Sequence, residues 1–376
     1  MGSSVGGTFE CQCDARFRSA CWDLGFYGEA EGKKYCVLHF PGKEKETDGS
    51  FREAVDEKLT TQRLDFSGVY FPSVTLAGFE FEDEVDFTGA TFSGDANFSE
   101  ATFSVVANFS RATFSVVANF FEATFSGVAN FSEATFSERV LFSNVKTLPE
   151  TALVFREATI GKPDRVSFHS MHLRPSWFVD VDAQKFDFSD VEWFRMTDEQ
   201  ELTIDEEIEA LANRRIKSPI SLRKLQKACR RLMNNAEENR DYQTANELHY
   251  WSMEAQRKEG WRRLGLIATL YWALSGYGER PLRAFFVAVG IWISFAILYL
   301  IVGSPELRLV PASGVWQAVE HAGRALVYSL AAIARLNPEP RPDAPGLFQF
   351  LVTTEGILGP LQIALFALAA RRTVMR

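Results

Sequence analysis

The sequence predicts a β-helix followed by a helical segment that crosses a membrane twice. Three observations carry that expectation. Phenylalanine recurs from Phe92 to Phe142 in steps that alternate between six and five residues. Two later runs, residues 282–302 and 347–370, are apolar and each long enough to cross about 30 Å of hydrocarbon. A chain of 376 residues exceeds one ordinary core, and its acidic, polar first two-thirds gives way to these apolar runs. The formal charge of -9 argues against nucleic acid as a partner.

The first segment, residues 1–58, opens on MGSSVGGTFECQCD, which has neither a basic n-region nor an apolar h-region. No secretory signal is expected, so this half is expected in the cytoplasm, where structural disulfides are rare. Four of the five cysteines cluster there as Cys11, Cys13, Cys21 and Cys36, with His39 closing a CxxH pair. Thiolates and one imidazole satisfy the tetrahedral, borderline-soft preference of zinc. Five candidates compete for four positions, which makes Cys11 or Cys13 spare. A structural Zn²⁺ knuckle capping the end of the β-helix is one reading, and a small apolar cap with free thiols is the other. Cys229 stands alone in a predicted helix and reads as a small buried apolar residue.

The second segment spans residues 59–196. Its clearest unit is eleven residues long, ATFSGVANFSE at 123–133. Small residues precede the Phe by two: Ala96, Ala101, Ala107, Ala112, Ala118, Ala123, Ala129 and Ala134. A helix cannot use five-residue steps, which walk around its 3.6-residue turn, and a strand cannot tolerate the polar pair between units. A short regular period that buries one residue type in ladders marks a solenoid. ANFSE at 96–100 and ATFSV at 101–105 resemble the pentapeptide-repeat family: a small residue, Asn/Asp/Thr, Leu/Phe, then two polar residues. The resemblance implies a right-handed, quadrilateral β-helix with Phe and the small residue pointing inward. The sixth residue at Val106, Val117 and Val128 departs from the strict unit and suggests coils of about 22 residues with corner bulges. The outward Asn, Thr, Ser and Glu suit a rigid spacer or protein-docking surface. Mimicry of an acidic duplex, known in the family, has only the EFEDEVD stretch at 80–86 behind it.

Residues 197–260 read as a helical connector. Two helices, joined by a turn at Asn239–Tyr242, look like one tetratricopeptide-type hairpin, too little to bind a peptide, and suit a rigid adaptor or oligomer contact.

Residues 261–376 read as the membrane segment. Residues 261–274 form an amphipathic stretch too short to span, an interfacial helix. Arg262, Arg263, Arg280 and Arg283 flank the first span, and Arg371, Arg372 and Arg376 follow the second. The positive-inside rule then puts both termini in the cytoplasm, with the chain multi-pass in the inner membrane. Between the spans, residues 314–346 combine a semi-apolar helix with a Pro-rich stretch. ALVYSL at 325–330, including Ser329, looks like the pore helix of potassium-channel-type pore domains; residues 355–372, opening on EGILGP, look like their inner helix. The resemblance implies a homotetramer that passes inorganic ions. The filter slot departs from that family: residues 334–343 read ARLNPEPRPD, with Arg335, Asn337, Glu339 and Asp343 where a Gly-rich run would aim carbonyls inward. Potassium selectivity is therefore not expected. Glu355 is the one acid inside a span; lining the pore, pairing with a neighbouring subunit's Arg, and lying at the outer interface are its three readings. Gly359 and Pro360 mark a hinge or kink. No nucleophile–base set or phosphate loop stands out, so an enzyme is not expected. The two functions left are an oligomeric ion channel with a cytoplasmic sensing or docking domain that takes an unidentified protein, and a membrane-anchored scaffold with a pore-like segment that does not conduct.

Overall fold

Phenylalanine rings repeated at the strand spacing can stack, and a coil whose every face carries such a ring closes around a solid aromatic core. That is the architecture of the first part of this chain. The structure, a computed structural model, describes residues 9–21, 24–47, 49–148, 151–193, 204–213, 220–259, 265–302, 315–334 and 346–374. It divides into two units, residues 1–256 and 257–376.

In the first unit, short parallel strands form four ladders, one per side of a four-sided solenoid. The register confirms the coil length: Thr91 pairs with Thr113, which pairs with Thr135, and Ala107 pairs with Ala129. The opening coil is one residue shorter, since Tyr70 pairs with Thr91. Each side holds a file of parallel rings. Phe92 and Phe114 lie 4.7 Å apart, Phe103 and Phe125 4.9 Å, Phe109 and Phe131 4.9 Å, and Phe120 and Phe142 4.8 Å. These separations match the ~4.8 Å between hydrogen-bonded strands, so backbone pairing and ring stacking are satisfied by one repeat. Neighbouring files meet edge to face, as Phe103 and Phe109 do at 77°, and opposite files do so across the core, as Phe98 and Phe109 do at 80°. Between the rings, small residues fill the second inward position of the regular coils, and Ala101, Ala107, Ala112 and Ala118 are fully buried; Val85, Val140 and Leu153 take the same position in the flanking coils.

The corners alternate in kind. At one, Ala101 N–H bonds the Phe98 carbonyl and Glu100 takes φ +60°, the turn geometry that wants a left-handed residue at its third position. Arg111, Glu122 and Glu133 repeat it at φ +57°, +54° and +58°, and Gly78 and Gly89 hold the earlier turns. The other corner takes the sixth residue. The expected bulge is not what forms there: Val117 pairs with Arg139 and Val128 with Ala152, so the extra residue lengthens the strand and its backbone stays paired. Asn at the outward position serves twice. Asn97 Oδ1 accepts from Ser99 N–H at 3.1 Å and from Asn119 Nδ2 at 3.2 Å, one coil on.

Both ends of the solenoid are covered. At the start, helix α1 (Ser50–Thr60) lays Phe51 edge-on against Phe71 at 5.6 Å, and Tyr70 N–H bonds the Leu38 carbonyl of the N-terminal segment. Two buried lysines finish that seam: Lys45 Nζ donates to the Val37 and Leu38 carbonyls, and Lys58 Nζ to the Asp65 carbonyl. Burial depresses both ammonium groups, Lys45 to about 7. Gly68, at φ +65°, could not carry a side chain, since a Cβ would sit 2.3 Å from the Phe17 ring.

The parallel ladders continue to Glu192–Trp193. Helix α2 (Ile204–Ala212) follows, and α3 (Leu222–Glu238) and α4 (Tyr242–Glu259) form the antiparallel pair read from the sequence, with Ser221 capping α3. The hairpin does more than connect. Asn235, buried on α3, donates to the carbonyls of Ala183, Gln184 and Phe186, while Arg231 bonds the Val181 carbonyl and Lys224 pairs with Asp180. A single helix thus satisfies the carbonyls at the far end of the rod.

The second unit contains α5 (Gly265–Ser275), α6 (Pro281–Val302), α7 (Val315–Ile333) and α8 (Leu347–Val374). Helices α6 and α8 are long and apolar enough to span a membrane. Their apolar side chains largely face outward, with Phe286 66% and Phe350 65% exposed, where a water-soluble core helix would bury them. The described part of the interfacial stretch, α5, is apolar nearly all round, so the expected amphipathic pattern is absent there. Trp272 near its end lies between two guanidinium groups, Arg257 at 4.8 Å and Arg283 at 5.0 Å from the ring centre.

Candidate functional site

Two clusters concentrate the chemistry of this chain, one in each unit. The first lies in the N-terminal segment. Sγ of Cys11, Cys21 and Cys36 and a ring nitrogen of His39 all fall within 4.8 Å of one another. His39 Nδ1 is 3.2 Å from Cys21 Sγ and 3.3 Å from Cys36 Sγ, and its Nε2 donates to the Ser67 carbonyl at 3.1 Å. That outer bond orients the ring and leaves Nδ1 for the cluster. Cys36 N–H bonds Cys11 Sγ at 3.3 Å.

The electrostatics favour anionic sulfur. The Cys21 thiol donates toward Cys36, and with His39 this overcomes burial to pull the Cys36 thiol down to about 3. Cys21, the donor, and itself partly buried, is pushed up. Burial opposes a charge on His39, yet bonds to Cys11, Cys13 and Cys36 outweigh it and hold the imidazole at about 12. A tetrahedral ion with thiolate bonds of about 2.3 Å and an imidazole bond of about 2.0 Å sets its donors roughly 3.5–3.8 Å apart. The four donors are close to that spacing and convergent, so the cluster could hold a metal ion. Cys13 is not among the four mutually close donors, though its thiol also faces His39 and its Sγ lies 3.7 Å from that of Cys21.

The second cluster joins three helices of the second unit. Glu355 on α8 is fully buried. One carboxylate oxygen accepts from the Tyr299 hydroxyl of α6 at 2.5 Å, and the other from the Ser329 hydroxyl of α7. Ser329 Oγ also lies 3.1 Å from the Trp292 carbonyl, and Trp292 Nε1 donates to the Leu326 carbonyl at 2.9 Å. Rings of Tyr328 and Phe348 pack around Tyr299 at 5.1 and 5.3 Å. Only the second half of α7 is buried this way; Val315, Trp316 and Val319 of its first half are exposed.

Residues 76–124 match the family model described as pentapeptide repeats (9 copies). The solenoid is built of pentapeptide repeats. No curated protein and no solved structure matches the chain. The match lies inside the pentapeptide-repeat solenoid, and neither the thiol cluster nor the helices of the second unit fall within it.

The sequence-derived site residues are thus distributed unevenly. Cys11, Cys21, Cys36 and His39 come together, and Cys13 is the one left over. Glu355, expected in the pore, against a neighbouring subunit's Arg or at the outer interface, accepts from two hydroxyls of its own chain, one on each oxygen. Gly359 is a point of close approach, where a Cβ would meet Ile333 of α7 at 2.7 Å. Pro360 lies inside α8 and contributes no N–H to its ladder. Arg335, Asn337, Glu339 and Asp343 lie outside the described residues, as do Arg262, Arg263 and Arg376.

Gln362 escaped the sequence reading. It is buried and ties three helices, donating to the carbonyls of Leu274 and Ala284 from α8. A polar residue within an apolar run was its only signal.

Removing the Glu355 carboxylate strands the buried Tyr299 hydroxyl, at ~1–3 kcal/mol, and leaves Ser329 only the Trp292 carbonyl. Glu355→Ala is expected to lower the melting temperature of the detergent-solubilised protein by several degrees. Glu355→Gln keeps an acceptor and the shape, and is expected to cost much less. Equal losses in the two variants would refute the hydrogen-bonding role.

Proposed function

We propose that this chain is an oligomeric membrane ion channel whose pentapeptide-repeat solenoid senses or docks a cytoplasmic protein. The observation that supports this best is the packing of α7. Its second half is wedged against two span-length helices and pinned there by the Tyr299–Glu355–Ser329 bonds. Such a short helix, rigidly held between two spans, is what a pore needs to present the loop that follows it to an axis. A pathway enclosed by two-span subunits requires several copies, and four is the number in the pore domains that ALVYSL at 325–330 resembles. The loop at 334–343 mixes Arg335 and Arg341 with Glu339 and Asp343, so selectivity for potassium forms no part of the proposal. Both termini lie in the cytoplasm under this reading, on the positive-inside distribution of Arg280, Arg283 and Arg371. The thiol cluster holds structural Zn²⁺, with Cys11, Cys21, Cys36 and His39 as ligands, and fastens the N-terminal segment to the first coil through His39 and Ser67. No catalytic role is assigned.

One observation favours a scaffold: residues 334–343 carry no glycine to turn successive carbonyls inward. Purified protein in planar bilayers separates the two. The channel reading expects discrete current steps from an intact oligomer; silence across voltage, pH and salt composition, with the oligomer verified, would leave the scaffold.

A further inference from the structure

The fifth thiol of the N-terminal segment has no place among the four convergent donors, yet it is not remote. Cys13 Sγ lies 3.7 Å from Cys21 Sγ, and both residues are partly exposed, whereas Cys11 and Cys36 are buried. An accessible thiol outside the donor set, touching a donor that is itself accessible, is the arrangement in which oxidation can remove a ligand. We propose that Cys13 is an oxidation site that resolves onto Cys21 and so discharges the metal from the N-terminal knuckle under peroxide. The inference rests on the metal reading above.

The chemistry balances with hydrogen peroxide as oxidant. Cys13 thiolate attacks the O–O bond and becomes a sulfenic acid, with one oxygen leaving as water after protonation. Cys21 sulfur then attacks the Cys13 sulfur, and the sulfenic oxygen departs as a second water. Two thiols have lost two electrons and the peroxide has gained them. The disulfide withdraws Cys21 from coordination, leaving Cys11, Cys36 and His39. Three donors hold zinc far less tightly than four, so the ion leaves. Since His39 bonds the Ser67 carbonyl of the first coil, the loss is felt where the segment meets the solenoid.

The test uses the full chain in detergent, reconstituted with zinc, its zinc content measured first. Hydrogen peroxide is then added with a chromogenic zinc chelator present, and the products are mapped by peptide mass spectrometry. Expected are release of the bound zinc in step with a Cys13–Cys21 disulfide, and reversal by dithiothreitol with zinc resupplied. Cys13→Ser should hold zinc as the unaltered chain does and release it several-fold more slowly. Release at an unchanged rate in Cys13→Ser, a disulfide between any other pair, or a lowered starting zinc content in that variant would each overturn the inference alone. A chain that takes up no zinc would overturn the metal reading and this inference with it.

Discussion

Phe109→Ala is expected to lower the stability of the solenoid by ~3–5 kcal/mol, the cost of emptying a large aromatic site in a core that cannot collapse around it. Phe109 is fully buried and stacks on Phe87 and Phe131, each at 4.9 Å, while meeting Phe98 and Phe120 edge-on at 5.4 and 5.8 Å. Collapse is blocked because the strands above and below are fixed at their hydrogen-bonding distance. A solenoid is also quasi-one-dimensional, so the defect weakens the coupling between the coils on either side. Native-state hydrogen exchange should record it as lost protection in Ala107–Asn108 and its neighbours Val85–Asp86 and Ala129–Asn130. Val105→Ala, at a corner residue 45% exposed, is the matched control and should change stability by less than ~0.5 kcal/mol. Comparable effects from the two substitutions would mean the ring files are not what holds the coils together.

The second large effect is expected at Cys36. This thiol is buried, lies against His39 Nδ1 at 3.3 Å, and is held as the thiolate by Cys21 and His39. Under the proposed metal reading, Cys36→Ser replaces a soft anionic ligand with a neutral hydroxyl. Structural zinc contributes on the order of 10 kcal/mol to the fold of small knuckles, so metal binding should be abolished outright. Elemental analysis should find stoichiometric zinc in the unaltered chain and essentially none in the variant. Protection of the Tyr70 amide, which bonds the Leu38 carbonyl, should fall with it. Cys229→Ser, buried in α3 far along the sequence, should leave zinc content unchanged.

The coil length was legible because it is written locally: two eleven-residue units make one turn, and every inward Phe announces itself. The two span-length helices were legible for the same reason, since hydropathy sums along the chain. What escaped depends on residues brought together from far apart. Nothing local distinguishes Cys11 from Cys13; only the fold brings the Cys11 sulfur together with Cys21, Cys36 and His39, beside the Cys36 amide 25 positions on. The partners of Glu355 lie 56 and 26 positions away, so hydropathy registers its cost but not the hydroxyls that offset it. Lys45, Lys58 and Asn235 read as ordinary surface residues until the ends of the rod place unpaired carbonyls beside them. The sixth residue of the unit was misread for a related reason. A bulge and a longer strand have the same residue count, and only the pairing of Val117 with Arg139 tells them apart.

The sealed ends of the rod also set how copies of this chain can meet. A stack of parallel strands with a bare terminus invites another stack to dock on it and grow without limit. Here α1 with its Lys58, and Lys45 ahead of it, occupy one terminus, and Asn235 and Arg231 of α3 the other. End-on docking of a second rod would first have to displace these covering elements and leave their carbonyls unpaired.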